Sequence, residues 1–258
     1  AEIAERTSAS ELAVRKRLWR ARNKLPAALD HDPVSGRLLA ALGPWLWFLR
    51  EGEAQFPAHD SALHAVSFWL AVGLSAWEAH WLVEQVAEGI WPAASVLALG
   101  AAAVLATLRA TTSVAWPFAK HARVYIVAGC GAVVAALTFA TVALNVVSAG
   151  EASPLPYVPL LNPLELASAL VLFALVDWIR RVGQIEPALD ASRARPAVAG
   201  VAAWFLVTMT VARAVHHWAG VPYDVESLAV STTFQSALSI VWAIVAIAAM
   251  IAGARAAG

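Results

Sequence analysis

The sequence predicts an all-α, polytopic transmembrane helix bundle with about six spanning helices and one interfacial helix. Hydrophobic residues occupy 60% of the 258 positions, charged residues occupy 14%, and mean hydropathy is +0.66. A soluble domain carries about 25% charged residues and roughly 45–50% apolar ones. The apolar residues also form long runs, and basic residues are confined to alternate connections between these runs. Most of the chain is therefore predicted to lie in lipid.

Residues 1–30 are predicted to form a separate, basic helical segment on the cytoplasmic side. Apolar residues recur there at helical spacing, opposite a basic face. Ser8 and Glu11 have the spacing of a capping box just before this helix. The basic side chains are Arg15, Lys16, Arg17, Arg20, Arg22 and Lys24.

Residues 1–25 resemble the helix-turn-helix of sigma-factor region four, through EIAER and AVRKRLWRAR. That resemblance implies DNA binding. The alternative is a basic helix lying beside anionic lipid at the cytoplasmic surface. Of these two partners we expect lipid rather than nucleic acid.

Residues 34–258 are predicted to form the transmembrane domain, which begins with an interfacial helix near 37–50. This apolar segment is too short to span a bilayer and is interrupted by Gly43 and Pro44. Trp45 and Trp47 are placed where aromatic rings sit at headgroup level.

Six further segments approach the ~20 apolar residues that a helix needs to cross a bilayer. Basic residues occur in the connections at 109–123 and 180–195 and in the C-terminal tail, but not near 85–90, 149–162 or 219–230. Because basic residues stay on the cytoplasmic side, we expect a bacterial inner-membrane protein with both termini cytoplasmic. The predicted spans are 62–84, 91–109, 122–148, 163–181, 197–218 and 231–253.

Polar residues gather near the predicted outer ends of these spans. Polar groups at membrane depth are costly unless they are paired. The pattern therefore predicts either an outward-facing vestibule or a tightly paired network. The candidate cluster consists of Glu78, His80, Asn162, Glu165, Arg213, His216, His217, Asp224 and Gln235.

Arg213 is the one candidate that local structure does not explain. It is the only Arg on the predicted outer side, about one turn inside the end of its helix. An unpaired guanidinium at this depth is costly, so we expect an acidic partner, either Glu165 or Glu78. One interpretation is an ion pair that ties helices together, and the other is a clamp for an anion or substrate.

The remaining candidates have local explanations, and no metal or other cofactor is expected. Asn162 and Asp224 are suited to cap the helices that follow them. Adjacent His216 and His217 point about 100° apart on a helix, which disfavours a shared metal site. Cys130 is the only cysteine, so it offers neither an internal disulfide nor a cysteine-based metal site.

Three stretches resemble the C-terminal part of a bacterial family of predicted membrane proteins known as domain of unknown function 2339. They are WPFAKH, PLPYVPLLNPLELASAL, and RAVHHWAGVPYDVESLAVSTTFQSALSIVWAIVAIAAMIAG. The resemblance covers residues 35–258 and implies no activity. Family members are typically longer, which implies a C-terminal piece or a short variant.

We therefore expect an integral membrane protein, more consistent with an envelope or transport-related component than with an enzyme. Its partners would be the lipid bilayer and either other membrane subunits or missing upstream helices. Two alternatives stay open. One is a membrane enzyme acting on a lipid-linked or periplasmic substrate, and the other is a membrane-tethered regulator with an N-terminal helix-turn-helix.

Overall fold

The computed structural model describes residues 49–53, 59–186 and 190–257. The basic segment at 1–30 and most of the interfacial helix predicted near 37–50 lie outside these residues. Every regular element in the described ranges is helical, as the apolar runs predict.

The chain divides into two compact units, Ala1–His64 and Ala65–Gly258. In the first unit, residues 49–53 are helical. The helices that follow are α1 (Asp60–Glu84), α2 (Trp91–Ser113), α3 (Gly131–Val147), α4 (Pro163–Ile185), α5 (Ala191–Ala219), α6 (Val225–Val230) and α7 (Thr232–Ala257). Two π-helical segments, Ala115–Ala119 and Val124–Cys130, connect α2 to α3.

Four stretches of the described chain are long and apolar enough to cross a membrane. They are Trp91–Ser113, Val124–Val147, Ala191–Ala219 and Thr232–Arg255. Helices α1 and α4 match the other two predicted spans and have 25 and 23 residues. Helix α4 is more polar because it contains Glu165, Asp177, Arg180 and Arg181. The count of six spans stays a prediction.

The buried core of the second unit lies where α2, α3 and α4 meet. Helix α2 contributes Leu97, Ala101, Val104 and Leu108, which recur at helical spacing and are almost completely buried. Gly100 permits a close approach of α3, since a Cβ atom there would lie 2.8 Å from Leu137 Cδ2. Close approach at small residues is how membrane helices pack without a hydrophobic driving force between them.

The outer surface of the helices is apolar. Trp77 on α1, Phe139 on α3 and Met250 on α7 are each at least two-thirds exposed. Large exposed apolar surfaces of this kind are rare on soluble monomers. The described helices therefore expose apolar side chains on their outer surface, as helices in a bilayer do.

Candidate functional site

Three helices bring polar side chains together around Arg213. Arg213 lies on α5 and has no solvent-exposed surface. Its Nε donates to Glu165 Oε1 of α4 at 3.2 Å, and its Nη2 donates to Asn145 Oδ1 of α3 at 2.8 Å. The acidic partner is thus Glu165 rather than Glu78. Nη1 is also buried and has no hydrogen-bond acceptor among the described residues.

Glu165 is held in place by the start of α4. Asn162 Oδ1 accepts a hydrogen bond from Leu164 N at 3.0 Å, which makes Asn162 the N-cap that the sequence predicts. Glu165 does not complete a capping box. Its Oε1 accepts from Tyr157 Oη at 2.6 Å, and its Oε2 accepts from the backbone N–H of Leu160. The carboxylate is therefore directed toward the loop before α4 and toward Arg213.

Asn145 connects this pair to the interior of the bundle. Its Nδ2 donates to Thr141 O and to Ser168 Oγ, each at 2.9 Å. With Oδ1 bound to Arg213, both ends of this fully buried amide are satisfied. Asn145 is absent from the candidate set predicted from sequence. In the sequence, the feature that could have identified Asn145 is that it is a single amide side chain at the outer end of the third predicted span.

The loop at 148–162 covers the polar cluster and is attached on several sides. Glu151 O accepts from Ile90 N at 2.8 Å, which joins the loop to the start of α2. Gly150 O accepts from Asn162 Nδ2 at 2.6 Å. Gly150 has a φ of 76°, and a Cβ atom there would lie 2.9 Å from Arg213 Cδ. Glycine is thus required both for the backbone conformation and for the close approach to Arg213.

Tyr157 and His217 stack over the Arg213–Glu165 pair. Their ring centroids are 4.4 Å apart with an interplanar angle of 12°. His217 Nε2 lies 2.8 Å from Ala149 O, which fixes the ring to the loop. Burial, followed by the hydrogen bond to Glu165, raises the pKa of the Tyr157 hydroxyl above its usual range. Tyr157 therefore acts as a neutral hydrogen-bond donor.

The connection between α5 and α6 contributes Tyr223, which sequence reasoning missed. Its Oη donates to Asn145 O at 2.6 Å. The neighbouring His216 has its Nδ1 2.7 Å from Val221 O, and its ring meets Tyr223 edge-on. Burial raises the pKa of Tyr223. Both tyrosines occur in proline-containing loops, PLPY and GVPY, and this shared context is the signal that could have found them.

Four predicted candidates lie apart from this network. Glu78 is exposed on α1, and His80 lies 3.8 Å from Glu84 on the same exposed helix face. Asp224 caps α6 by accepting from Ser227 N at 2.8 Å, and this hydrogen bond lowers the pKa of its carboxyl. Gln235 is exposed and donates to Ala229 O at 2.7 Å.

A pocket of about 460 Å³ lies next to the covered cluster. Its walls are residues 151–157 together with His217. Glu151 is exposed at this pocket, whereas Arg213 is not. The pocket and the ion pair are thus neighbours separated by the Tyr157–His217 stack.

Three of the described histidines, His64, His216 and His217, lie within hydrogen-bond distance of other protein atoms. His216 Nδ1 and His217 Nε2 each lie within hydrogen-bond distance of a backbone carbonyl oxygen, which engages one nitrogen of each ring. In the first unit, buried His64 has its Nε2 2.9 Å from Glu53 Oε1 and 3.2 Å from Asp60 Oδ1. Both contacts are made by the same ring nitrogen, and the Glu53 contact is a hydrogen bond; sequence reasoning did not single out His64.

A family model described as "Predicted membrane protein (DUF2339)" matches residues 4–258. The match begins at residue 4 rather than at the expected residue 35, so most of the basic N-terminal segment falls within the same family pattern. No curated protein and no solved structure matches the chain.

Proposed function

The chain belongs to the DUF2339 family of predicted membrane proteins, and from that premise we propose a multi-pass, non-enzymatic component of an envelope or transport assembly. Its membrane is the bacterial inner membrane, and both termini lie in the cytoplasm. The charge difference between alternate loops supports this orientation, because basic connections are retained on the cytoplasmic side. In this orientation the loop at 148–162 faces outward.

The observation that carries the proposal is the complete burial of Arg213 between Glu165 and Asn145. A clamp for an external anion needs a guanidinium that the ligand can reach. Arg213 instead has its charge compensated within the bundle and is covered by Tyr157 and the loop. A buried, compensated pair of this kind supports a structural junction between α3, α4 and α5.

The same junction gives the outer loop a fixed shape. Tyr157 and Leu160 donate hydrogen bonds to Glu165 and so attach the loop to α4. Asn162, at the end of the loop, donates to Gly150 near the beginning of the loop. Leu160 has a φ of 67°, a conformation that a non-glycine residue keeps only when its surroundings enforce it. An ordered outward loop beside a 460 Å³ pocket is suited to contact another subunit of an envelope assembly.

A second candidate function is a membrane enzyme acting on a lipid-linked or periplasmic substrate. The buried Nη1 of Arg213, which lacks an acceptor among the described residues, favours this alternative. Opening of the loop would then expose the guanidinium to an anionic substrate group. In that case Arg213 would be needed for activity more than for folding.

Replacement of Arg213 by Ala tests the two functions against each other. For a structural junction we expect a large loss of folded protein and of thermal stability in detergent. Arg255→Ala is the matched control, because Arg255 is an exposed arginine in the last turn of α7. An Arg213→Ala protein that folds with unchanged stability, yet fails to complement a deletion strain, would support the enzyme instead.

A further inference from the structure

Helices α3, α4 and α5 leave a groove of about 540 Å³ on the apolar side of the bundle. Its walls are almost entirely hydrocarbon, from residues such as Val171 on α4 and Phe205 on α5. The lining residues of α5 begin at Ala197 and end at Leu206. At a rise of 1.5 Å per residue, this stretch of helix is about 14 Å long.

The groove lies at membrane depth, because α3 and α5 both belong to stretches that are able to cross a bilayer. What surrounds such a surface is lipid hydrocarbon. The volume of the groove falls within the roughly 300–1,000 Å³ typical of small-molecule sites. An acyl chain is an elongated apolar group suited to these walls, whereas a polar ligand would find almost no partners there.

A basic residue stands at the predicted cytoplasmic end of the groove. Arg195 is exposed, and it precedes Val198 by one helical turn and Ala202 by two, so all three share a face of α5. Val198 and Ala202 both line the groove. Neighbouring Arg193 is paired with Asp190 at 3.3 Å, whereas Arg195 has no ion pair in the part of the chain that the structure describes.

We propose that this groove binds one acyl chain of an anionic phospholipid, and that Arg195 attracts the net negative charge of its headgroup. Basic groups at the cytoplasmic end of clefts between membrane helices bind anionic headgroups, and a cationic side chain near the membrane surface is worth about 1 kcal/mol. That free energy corresponds to about a fivefold preference for an anionic over a zwitterionic lipid. The site is independent of the Arg213 junction and of its proposed role.

The experiment compares phosphatidylglycerol with phosphatidylcholine carrying the same acyl chains. The full chain is purified in detergent, and its thermal stabilisation and retained lipid are measured at increasing lipid concentration. Wild-type protein should respond to phosphatidylglycerol at about fivefold lower concentration, and Arg195→Gln should abolish that preference. Arg255→Gln, which removes a charge on α7, a helix that contributes no residue to the groove lining, should leave the preference unchanged.

The apolar part of the site is tested by substitutions that place a larger side chain in the groove. Ala202→Phe should reduce retained lipid of either headgroup, whereas Ala203→Phe should not, because Ala203 is exposed and does not line the groove. Ala202→Leu repeats the test with a smaller side chain if the Phe variant does not fold. The proposal is overturned if Arg195→Gln keeps the anionic preference, if wild-type protein shows none, or if the filled groove retains its lipid.

Discussion

Arg213 Nε lies 3.2 Å from Glu165 Oε1, and the two side chains have 0% and 6% of their surface exposed. They are 48 positions apart in the chain, so their contact joins α4 to α5. Asn145 extends the contact to α3. The core of the second unit that lies outside this junction is mainly apolar, so its helices are held there mainly by packing. The polar junction therefore defines one specific register among three helices whose outer surfaces are otherwise apolar.

Replacement of Gly150 by Ala should destabilise the protein more than replacement of Gly220 by Ala. Both glycines have positive φ, 76° and 71°, so both variants incur about 1–2 kcal/mol of left-handed strain. Only the Cβ at position 150 meets Arg213 Cδ, at 2.9 Å, while nothing lies within 4 Å of the Cβ at position 220. The added crowding should cost a further ~1–3 kcal/mol.

Thermal unfolding in detergent measures this difference directly. Equal losses for the two glycine variants would show that the loop does not pack against Arg213.

Replacement of Tyr157 by Phe should destabilise the protein more than replacement of Tyr223 by Phe. The Tyr157 hydroxyl donates to the Glu165 carboxylate at 2.6 Å, and a hydrogen bond to a charged group contributes about 1.5–3 kcal/mol. The Tyr223 hydroxyl donates to the neutral Asn145 carbonyl at 2.6 Å, for which about 0.5–1.5 kcal/mol is expected. Chemical unfolding of the two variants gives the comparison, and a reversed order would show that the Tyr157–Glu165 hydrogen bond contributes less than the Tyr223–Asn145 one.

Stability should fall at alkaline pH through Tyr157. Burial and the hydrogen bond to Glu165 raise the pKa of Tyr157 in the folded state above its unfolded value of about 10. The stabilisation it contributes is therefore complete below about pH 10 and is lost as pH rises through the folded pKa. The melting temperature of Tyr157→Phe should decline less steeply above pH 10 than that of wild-type protein. Parallel declines would exclude this titration.

The outward position of the loop at 148–162 is testable by cysteine labelling in intact cells. Ser153 is exposed, and the native Cys130 is buried, so Ser153→Cys should react with a membrane-impermeant thiol reagent added outside the inner membrane. Ser113→Cys, at the exposed end of α2, should react only after the membrane is opened. The reverse labelling pattern would invert the proposed topology.

Helix positions could be predicted from sequence because apolar length and turn chemistry are local properties. The predicted span at 91–109 corresponds to Trp91–Ser113, and the one at 197–218 lies within Ala191–Ala219. Asn162 and Asp224 cap their helices as their positions predict. The six-span count is harder to establish, since the charged residues of α4 lower its hydropathy.

The composition of the polar cluster could be predicted only in part. The absence of other outer arginines singled out Arg213, and its depth limited the partner to Glu165 or Glu78. Which acid meets it depends on how α1, α4 and α5 pack, and sequence periodicity does not specify that packing. Tyr157 and Tyr223 were missed for the same reason, because their hydroxyls reach the cluster through loop conformations that are set by tertiary contacts.

A double-mutant cycle on Arg213 and Glu165 tests the structural junction most directly. Arg213→Met and Glu165→Met should each cost about 3–5 kcal/mol, because each leaves a buried charge without its partner. The double variant, which removes both charges, should recover much of that loss and be more stable than either single variant. Thermal and denaturant unfolding in the same detergent give the four stabilities. If the two losses simply add, the pair does not form the junction that holds α4 and α5 together.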